Sequence, residues 1–457
     1  MAKKEGVKFY DHQKQTIALR KRSPIILDLS EPGTGKTLAH CEDFRDHRNH
    51  RGGAGLIVCP LSLVGSVWPV DMAKLDRGIS VSCAYANNRE KAFQPGHDLY
   101  VTNYEGLKYL KENWVQMKRK LGLDWFLIDE GTAMKNAQAK RTKIAMQIAR
   151  DLEHRAILSG TLGSKSILDY WAPMKILDGG KRLGAIYSAY RNAVCVPVQV
   201  GPAANMLEWV PRDGAEDAVA ALLSDISIRH ELEKCFDMPG EVVHNLVITL
   251  PKKLMKVYEQ MAREQAIALK DKVITAVNGG VVATKLLQIA AGSLYDNDRL
   301  IEVIDTQRAE LIADLCEERD HTIIAFMWHH QRDMIIAALE KRGRKVVYID
   351  GTVPGAKRAQ IVDDYQAGMY DDILLHPQAA AHGLTLTRAT TTIWASPTYN
   401  YEHFDQLNRR AYRKGQERRC EVIVITAEHT LDMHAYEVCL TKGEGMHRIF
   451  DAILNYT

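Results

Sequence analysis

The chain has 457 residues, too many for one hydrophobic core, since a single core stops growing at roughly 250 to 300 residues. Hydrophobic residues make up 46% and charged residues 26%, which excludes a fibrous, low-complexity or disordered chain. The 60 basic residues nearly cancel the 57 acidic ones, so a formal charge of +3 excludes a bulk attraction to polyanions, and any nucleic-acid surface has to be a local patch.

The start, Met1-Ala2-Lys3-Lys4-Glu5, turns polar at once and lacks the apolar centre of a signal peptide. The longest uncharged stretch, Ala54 to Val70, is broken by Pro60 and Pro69 and falls short of the ~20 apolar residues a membrane helix needs. A cytoplasmic location and no membrane partner are expected. The eight cysteines, at 41, 59, 83, 195, 235, 316, 420 and 439, form no CxxC pair, as expected of free thiols in a reducing compartment.

Short apolar runs then alternate with longer amphipathic stretches: Ile25 to Leu29, Leu56 to Cys59, Leu99 to Thr102, Trp125 to Ile128 and Arg155 to Leu158. This alternation predicts an α/β domain with a parallel sheet. The pattern returns at Thr322 to Phe326, Lys345 to Ile349, Ile373 to Leu375, Thr391 to Trp394 and Glu421 to Ile425. Two such sets predict two α/β domains. Between them, from Ile167 to Gly292, strand-like runs are few and the segment reads as helical. After Pro251, Leu254, Tyr258, Met261, Gln265 and Leu269 recur at helical spacing, most simply a packing stripe, and Gly279-Gly280 predicts a break. The expected division is an N-terminal domain over 1–235, with a helical protrusion from about 165, and a C-terminal domain over 236–457, with a helical insertion at about 251–300.

The sharpest chemical signal is Ser30-Glu31-Pro32-Gly33-Thr34-Gly35-Lys36-Thr37, set between a strand run and a helix-compatible segment. This is the setting of a P-loop: Gly33, Thr34 and Gly35 let backbone N–H groups close around phosphate, Lys36 reaches the β and γ phosphates, and the Thr37 hydroxyl holds Mg²⁺. Ser30 stands where the strict pattern has its first glycine. The second signal is Trp125 to Ile128 ending abruptly in Asp129-Glu130. A buried strand that delivers acids to its carboxyl edge suits Mg²⁺ binding by Asp129 and activation of the attacking water by Glu130. The third is Gln406 to Gln416, where Gln406, Arg410 and Arg413 share one face if the segment is a helix. Guanidinium groups brought to a γ phosphate stabilise the charge that develops in transfer.

Taken in order, these segments resemble the superfamily 2 helicases and, within them, the Swi2/Snf2 group. Phe9 to Gln13 is similar to the Q motif, Ser30 to Thr37 to motif I, Leu56 to Leu63 to motif Ia and Val101 to Glu105 to motif Ib. Asp129 to Thr132 with Lys135-Asn136 is similar to motif II, and Leu158 to Thr161 to motif III. Thr322 to Trp328 resembles motif IV, Ala379 to Leu386 motif V, and Gln406 to Gln416 motif VI. The ending Arg413-Lys414-Gly415-Gln416 favours DNA over RNA. The resemblance implies two RecA-like parallel-sheet domains with helical insertions between them, and ATP and Mg²⁺ as cofactors. It implies that Gln13 reads the adenine edge, that Gln406 joins the nucleotide site, and that Arg410 and Arg413 are the motif VI arginines, the latter the finger. Ser62, Thr102, Tyr104, Trp328, Gly383 and Thr385 are the expected DNA contacts, although a tryptophan beside an apolar strand is also an ordinary packing residue.

The chain departs from the group at Thr132 in place of histidine, Leu162 in place of proline, Thr385 in place of asparagine, and Tyr399-Asn400-Tyr401 in place of Trp-Asn-Pro. These positions bear on coupling of hydrolysis to movement. A compact phage- or bacterial-type DNA motor in replication, recombination or repair is expected, with branched or double-stranded DNA favoured and no obligate protein partner. The alternatives are an RNA helicase, a nucleotide-gated DNA-binding scaffold without turnover, and a P-loop GTPase or small-molecule kinase.

Overall fold

The computed structural model describes residues 7–160, 162–163, 166–199, 207–270, 276–295, 301–380 and 384–455. The chain divides into two compact units, Met1–Asp237 with Lys442–Thr457, and Met238–Thr441. Each is built on its own parallel sheet.

In the first unit the strands are β1 (Ile25–Asp28), β2 (Ala54–Cys59), β3 (Val81–Ala84), β4 (Leu99–Asn103), β5 (Leu123–Asp129) and β6 (His154–Leu158), with an exposed antiparallel hairpin β7 (Cys195–Gln199) and β8 (Leu207–Pro211), then β9 (Ser227–Ile228). The sheet order is β3-β4-β2-β5-β6-β1-β9. Its central strands β1, β2 and β5 carry nearly continuous runs of buried residues, apolar up to the acids Asp28 and Asp129 that end β1 and β5, as a parallel sheet buried on both faces requires. Ile26, Phe44, Ile57, Trp68, Trp125 and Leu127 fill one side of it. This order puts the carboxyl ends of β1, β6 and β5 side by side.

The second unit holds β10 (Glu241–Ile248), a short antiparallel pair β11 (Ser293–Tyr295) and β12 (Ile301–Val303), then β13 (Thr322–Ala325), β14 (Val346–Ile349), β15 (Asp372–Leu375), β16 (Thr391–Trp394) and β17 (Cys420–Ala427). Its parallel sheet runs β10-β17-β16-β13-β15-β14, with Ile324, Phe326, Ile335, Leu374, Ile393 and Ile425 in the core.

The segment from Ile167 to Gly292 is not the purely helical stretch its sequence suggested. It contributes the β7–β8 hairpin, β9 on the edge of the first sheet and β10 on the edge of the second. The β-branched pattern of Glu241–Ile248 was the available signal, and it is weak because edge strands keep one side polar and exposed. Gly279-Gly280 also fails to break the chain, for it lies inside helix Ala276–Ala290. Packing of that helix through Leu286 and Ile289 against Leu254 and Tyr258 outweighs the propensity cost of the glycines, about 1 kcal/mol each. The stripe after Pro251 is therefore a packing face as far as its described side chains extend, while the side chains of Gln265 and Leu269 lie outside the described residues.

Among the described residues no helix is long and apolar enough to cross a membrane. All eight cysteines are free thiols.

Two histidines set a pH dependence. His154, at the start of β6, is held down to about 4 by burial and by His47, whose ring lies 4.5 Å away, and His330 is held down to about 4 chiefly by burial. Both stay neutral in the fold, whereas the unfolded chain takes up protons below about 6.5. Their contribution to stability is thus complete above that value and is lost as pH falls toward 4. The expected result is a melting temperature that drops by several degrees between pH 7 and pH 5, above the range where the depressed carboxylates titrate, and a flatter profile in His154→Gln/His330→Gln. An unchanged slope in that double variant would refute the assignment.

Candidate functional site

The site of the first unit begins with two helices, α1 (Asp11–Arg22) and α2 (Lys36–Arg51). α2 starts directly from the loop after β1, and its N-cap Gly35 has φ 78°, a left-handed conformation that a side chain resists. No side chain caps the helix, so its first backbone N–H groups remain for an anion. Lys36 Nζ donates to the Ser30 carbonyl at 2.8 Å, folding the lysine across the mouth of its own loop. Thr37 follows, half-buried, in the first turn.

The loop is held from below and from the side. Ser30 N donates to Asp28 Oδ1 at 2.9 Å, and His40 Nε2 donates to Asp28 Oδ2 at 3.0 Å, a pair with no solvent exposure. Burial pushes the Asp28 carboxyl up, but the hydrogen bond and charge of His40, with the charge of Lys36, outweigh it and hold Asp28 below the ordinary range. Thr34 Oγ1 donates to the Glu31 carbonyl at 2.8 Å, and His12 Nε2 donates to the Thr34 carbonyl at 2.8 Å. Gln13 is buried, with Oε1 accepting from Tyr10 N and Nε2 donating to the Gly35 carbonyl, both at 3.0 Å. The glutamine expected to face adenine thus braces α1 against the phosphate loop in this conformation.

β5 delivers the acids. Asp129 is buried at the strand end, and Trp68 Nε1 donates to its Oδ2 at 3.1 Å while Glu130 N donates to its Oδ1 at 3.0 Å. Burial drives the Asp129 carboxyl above its ordinary value, against the pull of Lys36 and the Trp68 hydrogen bond. Glu130 sits at φ 60°, ψ 65°, a left-handed conformation unusual for a residue with a side chain. Such strain, of order 1–3 kcal/mol, persists only where neighbours enforce it and concentrates at functional sites. Tyr104 does the enforcing, its hydroxyl lying 3.0 Å from the Asp129 carbonyl and 3.3 Å from that of Glu130.

β6 lies between β1 and β5 and ties the two halves of the site. Ser159 N donates to the Asp28 carbonyl at 2.9 Å. A Cβ added at Gly160 would come within 2.9 Å of Pro32 Cδ, so the two loops touch closely. Thr132 is buried in the turn after Glu130, and Leu162 is fully buried.

In the second unit the basic segment departs from its expected form. Helix Tyr401–Asn408 stops before the arginines, so Arg410 and Arg413 lie on successive turns and do not share a helical face with Gln406. Contacts distant in sequence claim the segment instead: Asn408 Oδ1 accepts from Trp394 Nε1 at 2.9 Å, and Gln416 Nε2 reaches the carbonyls of Thr387 and Ala389 as well as that of Ala411. Arg413 Nη1 donates to the Leu384 carbonyl at 2.9 Å, and Arg410 Nη1 approaches the same oxygen at 3.5 Å. Burial lowers the pKa of Arg413 below the usual guanidinium value. Gln406 is buried on the helix.

The expected DNA contacts fare unevenly. Thr102 is fully buried and donates to the Ala84 carbonyl at 2.6 Å, so it presents nothing to a strand. Tyr104 spends its hydroxyl on the acidic turn. Ser62 lies in the short helix Leu61–Val64, Thr385 is exposed, and Trp328 is half-buried at the start of helix His329–Lys341 with its ring parallel to that of His330 at 6.0 Å. Gly383 lies outside the described residues. Trp68 and His40 were missed: a tryptophan before a proline and a histidine one turn into a helix carry no distinctive spacing.

Residues 3–300 match the SNF2-related domain and residues 306–415 the helicase conserved C-terminal domain. Protein p41 of Acyrthosiphon pisum secondary endosymbiont phage 1 is 26% identical over 95% of this chain and 94% of its own length. The DNA annealing helicase and endonuclease ZRANB3 of Bos taurus is 24% identical over 67% of this chain, which spans only 28% of that protein. The Sulfolobus solfataricus SWI2/SNF2 ATPase core in complex with dsDNA is similar at 21% identity, covering 97% of this chain and 93% of that one, with a TM-score of 0.44. Two family models that together span most of the chain place it in the SNF2 family of ATP-dependent helicases and translocases.

Proposed function

We propose that the protein is a DNA-dependent ATPase that moves along or remodels duplex and branched DNA. The observation that carries this reading is the pairing, across β6, of an open helix start beside a folded-back Lys36 with a strained carboxylate turn at Asp129-Glu130. Lys36 exchanges the Ser30 carbonyl for the β and γ phosphates, which costs it one neutral acceptor and gains it a charged one. A buried carboxylate raised by burial and a hydroxyl at a helix start fit a hard divalent cation, and Asp129 with Thr37 would hold Mg²⁺, which neutralises charge on the phosphate oxygens. Glu130 orients the attacking water and takes its proton. Arg410 and Arg413 supply positive charge to the transferring phosphoryl group.

The DNA substrate is supported by the ending Arg413-Lys414-Gly415-Gln416 and by the printed name of the ZRANB3 relative. Action in a bacterial or phage-infected cytoplasm, in replication, recombination or repair, accords with the likeness to a phage protein. The test is the ATPase rate on single-stranded, duplex, forked and four-way DNA and on RNA. Strongest stimulation by forks or junctions is expected; equal stimulation by any duplex would remove the branched preference, and stimulation by RNA alone would overturn DNA as substrate.

A further inference from the structure

The phosphate loop is bonded along its first half to a segment some 200 residues away in sequence. β9 pairs in parallel with β1, Leu27 beside Ser227 and Asp28 beside Ile228. The pairing then continues past both strands. Leu29 N donates to the Ile228 carbonyl at 2.8 Å and Glu31 N to the His230 carbonyl at 2.9 Å. In return, His230 N donates to Ser30 Oγ at 3.2 Å and Leu232 N to Glu31 Oε2 at 3.1 Å. Arg229 Nη2 lies 3.5 Å from Glu31 Oε1, with both side chains almost wholly buried. Thr16 Oγ1 of α1 meets His230 Nε2 at 3.1 Å.

Ser30 is the shared point. Its N–H goes to Asp28, its hydroxyl takes the His230 amide, and its carbonyl takes the Lys36 ammonium. A glycine at this position, as in the strict loop pattern, has no side-chain oxygen to offer the His230 amide. Residues 227–235 also lead directly to Asp237, after which the chain enters the second unit. Withdrawal of Lys36 toward a phosphate removes the donor from the Ser30 carbonyl, and the residue that re-seats is the one holding the exit segment.

We infer that Ser30 and Glu31 are positioning residues that transmit occupancy of the phosphate loop to residues 227–235, the path by which the chain passes to its second unit. This rests on nucleotide binding at the loop, as proposed above. A segment bonded to a ligand site reports binding there through the opening of its own amides.

The experiment is hydrogen–deuterium exchange of the full chain with and without saturating ADP and Mg²⁺, bound fraction being measured separately with a fluorescent ADP analogue. In the unmodified protein, exchange of peptides spanning 227–235 is expected to change by about threefold or more on binding. Compared at saturation, Ser30→Gly is expected to lose that response, Glu31→Gln to reduce it, and Ser30→Thr, which keeps the hydroxyl, to retain it. Bound ADP with unchanged exchange in the unmodified protein overturns this inference alone. A full response in both Ser30→Gly and Glu31→Gln also overturns it. Failure of the unmodified protein to bind ADP overturns the nucleotide reading itself, and this inference with it.

Discussion

Arg413→Ala is expected to bind ATP and to lose turnover by roughly 10³ to 10⁵, the range an arginine finger supplies. The change removes a donor from the Leu384 carbonyl, yet the backbone of this region stays anchored: Leu386 N still donates to the Arg410 carbonyl at 2.9 Å, and Gln416 still ties its turn to Thr387 and Ala389. Loss of catalysis would therefore not reflect loss of fold. Stopped-flow binding of a fluorescent ATP analogue together with single-turnover hydrolysis separates the two. Normal turnover per bound nucleotide, with weakened binding, would contradict the role given to Arg413.

Glu130→Gln should be nearly as severe, with hydrolysis down by about 10² to 10⁴ because the base is gone. Its geometry survives, since Asp129 is held by the Glu130 backbone N–H and by Trp68, neither of which the substitution touches. The variant should retain bound ATP long enough to be recovered unhydrolysed by rapid filtration. Hydrolysis within tenfold of the unmodified rate would move the base elsewhere. Because Gln accepts the left-handed backbone no better than Glu, little change in melting temperature is expected.

The strand, loop and helix around Ser30 to Thr37 and the acidic strand end were legible because their signals are local. Glycines, a lysine and a strand run define the one, and a strand run ending in two acids defines the other. The two sheets were legible for the same reason, since strands buried on both faces read as unbroken apolar runs. What escaped notice depends on contacts distant in sequence. Helical spacing of Gln406, Arg410 and Arg413 cannot reveal that Trp394 claims the Asn408 side chain and that Gln416 turns back on Thr387 and Ala389. Thr102 looked available because its polarity says nothing of its burial, and the Ala84 carbonyl on the neighbouring strand takes its hydroxyl. The hold of residues 227–232 on Ser30 and Glu31 joins positions that no window along the chain contains together.

Gly160 lies too close to Pro32 to gain a side chain while Pro32 stays as it is. As this protein diverges, a bulkier residue at 160 has to arrive with a slimmer one at 32, so the turn after β6 and the turn after β1 form a single unit of inheritance. A turn bearing a side chain at 160 should be tolerated only when the turn after β1 is exchanged with it for one that is slimmer at 32.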